Sequence, residues 1–93
     1  MFTWDLRKAK INLGKHGVSF EEAATVFFDQ DGLEWEDLAH SDRETRLKRL
    51  GISIGSRVLI VVYTVRRTPD GKEAIRIISA RQASRKERQA YFG

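Results

Sequence analysis

The chain contains no cysteine, a single proline and only two histidines, His16 and His40, among its 93 residues. The absence of cysteine excludes disulfides, thiolate metal ligands and a cysteine nucleophile, and it agrees with a reducing compartment. There is no His-x-x-x-His spacing, calcium loop, glycine-rich phosphate loop or Gly-x-Ser-x-Gly elbow. We therefore expect neither a metal nor a cofactor in any reaction that the chain performs.

Long apolar runs are also missing from the sequence. No stretch approaches the roughly 18 residues of a membrane span and no signal-peptide pattern opens the chain, so we expect a cytoplasmic protein without membrane contact. Hydrophobic residues make up 41% of the chain and charged residues 32%, which is a globular composition. Two domains of this total length would each be too small for a core, so residues 1–93 are predicted to form one domain.

Charge is segregated along the chain, although the formal net charge is only +4. Residues 1–18 carry a net +3, residues 19–44 a net −8 and residues 45–93 a net +9. The basic segments indicate a polyanionic partner, because neutralised phosphates supply most of the affinity for nucleic acids. The alternative is that the charges only keep a small protein soluble. Nucleic acid is the favoured partner.

Periodicity and turn chemistry predict three helices and a small sheet. The predicted strands cover residues 2–4, 33–35, 46–52, 57–66 and 73–80, and the predicted helices cover residues 6–16, 20–28 and 85–92. Residues 46–52 are also compatible with a helix, but Gly51 and the alternation of apolar and polar residues favour a strand. Asp5 is placed to cap the first helix, and Gly17 fits the left-handed position that ends it. Capping-box spacing precedes the other two helices, at Ser19 with Glu22 and at Ser84 with Glu87.

The run from Val58 to Tyr63 is apolar without alternation, which predicts a central strand covered on both faces. A hairpin turn at Pro69-Asp70-Gly71 leads from it to the last strand. We therefore predict an α+β domain: a mostly antiparallel sheet, with a meander of about three strands plus an N-terminal strand, and helices gathered on one side. Trp4 and Trp35 are predicted to lie in the core, with stacking on an RNA base as the alternative for either ring, and His40 is predicted to lie at the surface.

A metal-free protein of this size can cut RNA, because RNA supplies its own nucleophile in the 2′-hydroxyl. The protein has to remove one proton, supply another and stabilise the phosphorane with cations. Histidine ordinarily titrates near pH 6.5, and His16 lies beside Lys15 at the stop between the first two helices. The alternative is that both residues only close the first helix, where a cation meets free carbonyls and the helix dipole.

Several candidate side chains lie near the C-terminus. Arg81 ends the last strand on a short tether and is suited to hold a phosphate with its guanidinium fork. Arg76 faces either solvent or a substrate groove. Tyr91 and Arg88 share a face of the last helix that could look at the same place, although Tyr91 is equally suited to packing on the sheet.

Two separated motifs, one near each end of the chain, match a known protein family. The first consists of Trp4-Asp5, Lys8, Asn12, Lys15-His16-Gly17-Val18 and Phe20-Glu21-Glu22-Ala23. The second consists of Ile75-Arg76-Ile77-Ile78-Ser79-Ala80-Arg81, Glu87-Arg88 and Tyr91. In this order they resemble the BrnT family of bacterial type II toxins, over nearly the whole chain and most weakly at residues 33–43.

The resemblance implies a RelE-like ribonuclease fold, RNA cleavage that arrests translation, and neutralisation by an antitoxin, BrnA, that carries a ribbon-helix-helix DNA-binding segment. DNA would then be contacted mainly through the antitoxin complex, which represses its own promoter. The resemblance to RelE-like proteins also implies three site residues: a cation at the start of the central strand, an arginine after the last strand and a tyrosine in the closing helix. The matching positions are Arg57, Arg81 and Tyr91.

These observations give one hypothesis for the site. Lys15 or His16 handles a proton, Arg76 and Arg81 stabilise the phosphorane, and Tyr91 positions the RNA. The predicted RNA-binding residues are Lys8, Asn12, Arg57 and Arg88. The competing hypothesis is a module that binds nucleic acid or an acidic partner and cuts nothing. The acidic block, residues 21–44, is predicted to meet basic residues of the antitoxin or else to be a solvated face.

Overall fold

A computed structural model describes all 93 residues, as five strands and three helices. The strands are β1 (Phe2–Thr3), β2 (Leu33–Glu36), β3 (Leu47–Ile52), β4 (Val58–Arg67) and β5 (Glu73–Gln82). The helices are α1 (Leu6–His16), α2 (Phe20–Thr25) and α3 (Arg85–Phe92), and 3₁₀ turns cover Val26–Phe28 and Leu38–His40. The predicted α+β class is confirmed. None of the three helices has the length and apolar character that crossing a membrane would require.

All five strands form one sheet in the order β1-β5-β4-β3-β2. Strands β2 to β5 make an antiparallel meander of four strands, and β1 pairs in parallel with β5. The sheet is therefore mostly antiparallel, as predicted, with one parallel pair at β1, and its meander has four strands where about three are predicted. The partner and direction of a two-residue strand are set by tertiary packing, which alternation along the strand does not report.

Strand β4 is covered on each face by a different part of the chain. On one face Leu59 and Val61 are buried in a cluster that includes α2. On the other face Val58 and Ile60 join a smaller cluster with Leu50 of β3 and the inner side of α3. The prediction that β4 is covered on both faces is confirmed, but the prediction that all helices lie on one side is wrong. A strand that is apolar on both faces needs a cover on each.

Helix α1 lies along the part of the β5 edge that the short β1 leaves unpaired. The buried side chain of Asn12 donates from Nδ2 to the Ala80 carbonyl at 2.8 Å, and the Ala80 N–H donates to Asn12 Oδ1 at 3.1 Å. Asn12 Nδ2 also donates to the Val18 carbonyl at 3.0 Å. The Asn12 amide thus takes the place of a neighbouring strand and satisfies buried backbone groups of β5.

The helix starts have the predicted caps, with one difference. Asp5 caps α1, and Gly17 ends it with a left-handed φ of 67°. The full capping box of α3 is present at Ser84. Ser19 caps α2, but Glu22 does not return to the Ser19 backbone, because its carboxylate binds another partner.

The segment around β2 is exposed and acidic. Every residue of β2 is exposed, and Trp35 is 41% exposed. The prediction that Trp35 lies in the core is therefore wrong, because β2 is an edge strand without a covering helix. Trp4, in contrast, packs edge-on against the buried ring of Phe20. His40 lies at the surface, as predicted.

Candidate functional site

The face of the sheet that carries α3 is covered only in part. Two neighbouring cross-strand rows on this face are Lys48, Val62, Ser79 and Leu50, Ile60, Arg81. Helix α3 packs on the second row through Tyr91 and leaves Val62 in the first row half-exposed. We call this uncovered region, between α1 and the loop of residues 37–46, the open face.

Two cavities on the open face share the side chains of Ile78 and Ser79. The first, of about 200 Å³, is also lined by Lys8, Ile11, Asn12, Lys15 and His16. The second, of about 210 Å³, is also lined by Asp37, His40, Arg46, Lys48 and Val62. A β-bulge leaves Ile78 as an extra residue of β5 at the shared floor, and bulges bend a sheet and re-aim side chains next to functional sites. We treat the two adjoining cavities as one groove.

The groove is basic on both walls. Helix α1 contributes Lys8 and Lys15, and the opposite wall contributes Arg46 and Lys48. The carboxylate among the lining side chains is that of Asp37, which is 8% exposed. Two cationic walls facing each other across a concave floor attract a chain of phosphates.

Two further arginines of β5 point to the open face. Ile77 and Ala80 are buried in the cluster under α2, so their neighbours Arg76 and Arg81 project to the opposite side of the pleated strand. Both are partly exposed. The structure thus places these arginines on the same face of the sheet as the α1 wall, beside the side chains that line the groove rather than among them.

Arg81 is held in place by Glu87 of α3. Its Nη1 and Nη2 donate to the two carboxylate oxygens at 2.8 and 2.9 Å, and Nη1 also donates to the Gln82 carbonyl at 3.2 Å. The hydrogen bonds from Arg81 lower the pKa of Glu87 to about 2, and those to Glu87 raise the pKa of Arg81. Three of the five guanidinium N–H groups are used, which leaves two for a phosphate.

Stability should fall in acid through the Arg81–Glu87 pair. Because the folded chain lowers the pKa of Glu87 from 4.5 to about 2, the pair stabilises the fold above about pH 4.5 and loses that contribution as pH falls toward 2. Glu87→Gln should cost about 1 kcal/mol at pH 6 and nearly nothing at pH 2. Urea denaturation at both pH values measures this. Glu73→Gln, at an exposed glutamate without an ion pair, is the control. If Glu87→Gln lowered the free energy of unfolding as much at pH 2 as at pH 6, the Arg81–Glu87 pair would not be the source of the pH dependence.

The stop at Lys15-His16-Gly17 is held by a partly buried ion pair between Arg57 and Glu22 as well as by the glycine. Arg57 donates from Nε to Glu22 Oε2 at 3.0 Å and from Nη2 to the Gly17 carbonyl at 3.1 Å. This pair lowers the pKa of Glu22. The Arg57 guanidinium thus holds the end of α1 and the wall that carries His16. Arg57 is not among the side chains that line the groove, and its RNA contact stays a prediction.

Three other predicted site residues have partners within the fold or lie apart from the groove. Asn12 lines the groove, but its amide is occupied by backbone groups, so we assign it a structural role in place of RNA contact. The Tyr91 hydroxyl donates to Asp29 Oδ2 at 2.5 Å, and this bond raises the Tyr91 pKa to about 12. Tyr91 therefore anchors α3 through its hydroxyl, and its role in positioning RNA stays a prediction. Arg88 is exposed over the ring of Phe92, outside the side chains that line the groove.

Sequence reasoning missed the wall opposite α1. The sequence predicts β3, and alternation along that strand puts Lys48 on the same face as Leu50, so the position of Lys48 on this wall can be predicted from the sequence. Arg46 and His40 lie in a loop with no periodic pattern, and only the folded structure places them at the groove. No group of three or more His, Asp or Glu side chains is arranged to hold a metal ion.

Comparisons with known proteins agree with the resemblance seen in the sequence. The model of a family described as "Ribonuclease toxin, BrnT, of type II toxin-antitoxin system" matches residues 4–87. The 1.1 Å crystal structure of the ribonuclease toxin BrnT from Brucella abortus is similar, with 27% sequence identity and a TM-score of 0.65 over 91% of this chain and 99% of that chain. No curated protein matches the chain significantly.

Proposed function

Because the chain belongs to the BrnT family of ribonuclease toxins of type II toxin-antitoxin systems, we propose that it cleaves cytoplasmic RNA in the open-face groove without a metal ion. Cleavage would arrest translation, and a BrnA-type antitoxin with a ribbon-helix-helix segment would relieve it. The main support is the shared floor at Ile78 and Ser79, which joins the His16 wall to the face that carries Arg81. A groove about three strands wide, or roughly 10 Å between β3 and β5, suits one strand of RNA.

The reaction we propose is attack by the 2′-oxygen of RNA on the neighbouring phosphorus. The 2′-O–P bond forms and the P–O5′ bond breaks, which leaves a 2′,3′-cyclic phosphate and a 5′-hydroxyl. Lys15 or His16 transfers a proton, while Arg76 and Arg81 stabilise the charge on the phosphorane. Lys8, Arg46 and Lys48 hold the flanking phosphates, and Arg88 extends the basic surface.

Incubation of the purified chain with RNA in EDTA tests this function. We expect products that end in a 2′,3′-cyclic phosphate, and we expect His16→Ala to slow their formation. RNA retained in a gel without any cleavage would favour the competing function, a module that only binds nucleic acid.

Expression of the chain alone and together with the neighbouring open reading frame tests the toxin function, because the antitoxin should restore growth.

We also propose that the antitoxin docks on the acidic block next to a cavity of about 650 Å³. This cavity is lined by Asp29 and Asp31 together with apolar side chains, of which Phe28 and Ile54 are 77% and 83% exposed. An apolar floor with an acidic rim fits a segment that alternates basic and apolar side chains. The proposed occupant is such a segment of the antitoxin.

Neutralising the rim should weaken the complex mainly at low salt. Asp31→Asn is expected to lower the affinity for the antitoxin about three- to tenfold at 50 mM salt and much less at 500 mM, because exposed charges are screened. Titration calorimetry at both salt concentrations measures the effect. Glu73→Gln, outside the acidic block, is the control. Equal affinity of both variants and the wild type at low salt would rule out this surface.

A further inference from the structure

His40 and Asp37 form a hydrogen-bonded pair at the wall of the groove opposite α1. The Nδ1 atom of His40 lies 3.0 Å from Asp37 Oδ2 and 3.2 Å from Oδ1. The Asp37 side chain is 9% exposed, whereas the His40 side chain is 66% exposed. A nearly buried carboxylate therefore holds one edge of a ring that is largely exposed and lines the groove.

The backbone around the pair is fixed by its own hydrogen bonds. The Asp37 N–H donates to the Arg46 carbonyl at 2.8 Å, and the Ser41 hydroxyl donates to the Asp37 carbonyl at 2.7 Å. The Arg46 N–H in turn donates to Ser41 Oγ at 3.1 Å. The loop thus presents His40 in one orientation before any ligand binds, which saves the ordering entropy of a flexible loop.

A carboxylate on Nδ1 determines which ring nitrogen is free. An ionised carboxylate only accepts hydrogen bonds, so Nδ1 must carry the proton, and the lone pair of a neutral His40 is then on Nε2. This is the arrangement by which an aspartate prepares a histidine to act as a base. His40 lines the same cavity as Ser79 and Lys48, so Nε2 has access to a substrate that lies on the groove floor.

We propose that His40 accepts the proton of the attacking 2′-hydroxyl and that Asp37 is its positioning residue. This assignment rests on the proposed ribonuclease function and divides the two proton transfers between the walls. His40 Nε2 takes the 2′-hydroxyl proton as the 2′-O–P bond forms. The protonated side chain of His16 or Lys15, on the α1 wall, gives a proton to O5′ as the P–O5′ bond breaks.

Substitutions at His40 and Asp37 test the assignment with the full chain and RNA in EDTA. His40→Ala should lower kcat about 10²- to 10⁴-fold with a small change in KM, and added imidazole should restore part of the rate. Asp37→Asn should lower kcat at least tenfold and move the acidic limb of the pH–rate profile, on which a general base is lost by protonation, because the amide removes the negative charge beside the ring and permits the wrong tautomer. The charged groups that face His40 besides Asp37 are Asp42, Arg43, Glu44, Arg46 and Lys48.

Glu73→Gln, at an exposed glutamate of β5 that lies outside the charged groups around His40, is the control and should leave kcat and the pH profile unchanged. Thermal denaturation and gel retention of RNA should show that every variant folds and binds. Wild-type cleavage by a folded His40→Ala variant, with cleavage still lost in Arg81→Ala, would overturn the role of His40 alone. An inactive wild-type chain that still binds RNA would overturn the ribonuclease function and the role of His40 together.

Discussion

Replacing Arg81 with alanine should slow RNA cleavage about 10²- to 10³-fold, which is the usual cost of removing a preorganised donor to a developing negative charge. Arg81 is suited to this role because Glu87 fixes its guanidinium through two parallel hydrogen bonds and leaves two N–H groups for the phosphorane. RNA binding should weaken far less, because other cations line the groove. Single-turnover cleavage together with gel retention separates the two effects.

Three variants make the Arg81 result specific. Arg81→Lys keeps the charge but lacks the fork, so it should recover only part of the rate. Arg67→Ala removes the same charge at the hairpin end of β4, about 20 Å along the strand, and should leave the rate unchanged. Glu87→Gln should lower the rate less than Arg81→Ala, since the guanidinium remains but is less well held. A folded Arg81→Ala variant that cleaves as fast as Arg67→Ala would exclude Arg81 from the reaction.

The elements that could be predicted from sequence are those with local signals. Asp5, Gly17 and Ser84 act on backbone groups within a few residues, so spacing alone identifies the helix ends. The apolar run of β4 likewise indicates its burial on both faces. The parallel direction of β1 and the face on which α3 lies depend on packing between distant segments, and the pattern of one segment does not contain that information.

The same distinction applies to three predicted site residues whose polar groups have partners within the fold. Asn12, Arg57 and Tyr91 have partners that lie 68, 40 and 62 residues away along the chain, at Ala80, Gly17 and Asp29. A polar side chain in a family motif can contact a ligand or can form hydrogen bonds within the protein, and sequence spacing does not distinguish these two roles.

His40 shows the converse case, because its partner was close in sequence. Asp37 lies three residues before it, a spacing that brings two side chains together only when the backbone between them turns. Nothing periodic marks residues 37–46 as such a turn. The burial of Asp37, which gives the pair its chemical interest, is a property of the folded chain, in which the Asp37 N–H also donates to the Arg46 carbonyl across the loop.

Replacing Asn12 with alanine should lower the free energy of unfolding by about 3–5 kcal/mol, because it leaves the N–H and carbonyl of Ala80 and the carbonyl of Val18 without their partner in a buried site. That is a large share of the roughly 5–15 kcal/mol that stabilises a typical domain. Urea denaturation measures the loss, and faster hydrogen exchange of the Ala80 amide would locate it. Lys8→Ala, at an exposed site on the same helix, is the control and should change stability by less than about 0.5 kcal/mol.

The Asn12 variant also separates two readings of the N-terminal motif. If Asn12 were an RNA contact, alanine would raise KM and leave stability unchanged. If it joins α1 to β5, as its hydrogen bonds indicate, alanine loosens the wall that carries Lys15 and His16 and lowers kcat together with stability. Stability within 1 kcal/mol of the wild type, with RNA binding alone impaired, would return Asn12 to the RNA-binding residues and would show that the edge of β5 does not need this amide.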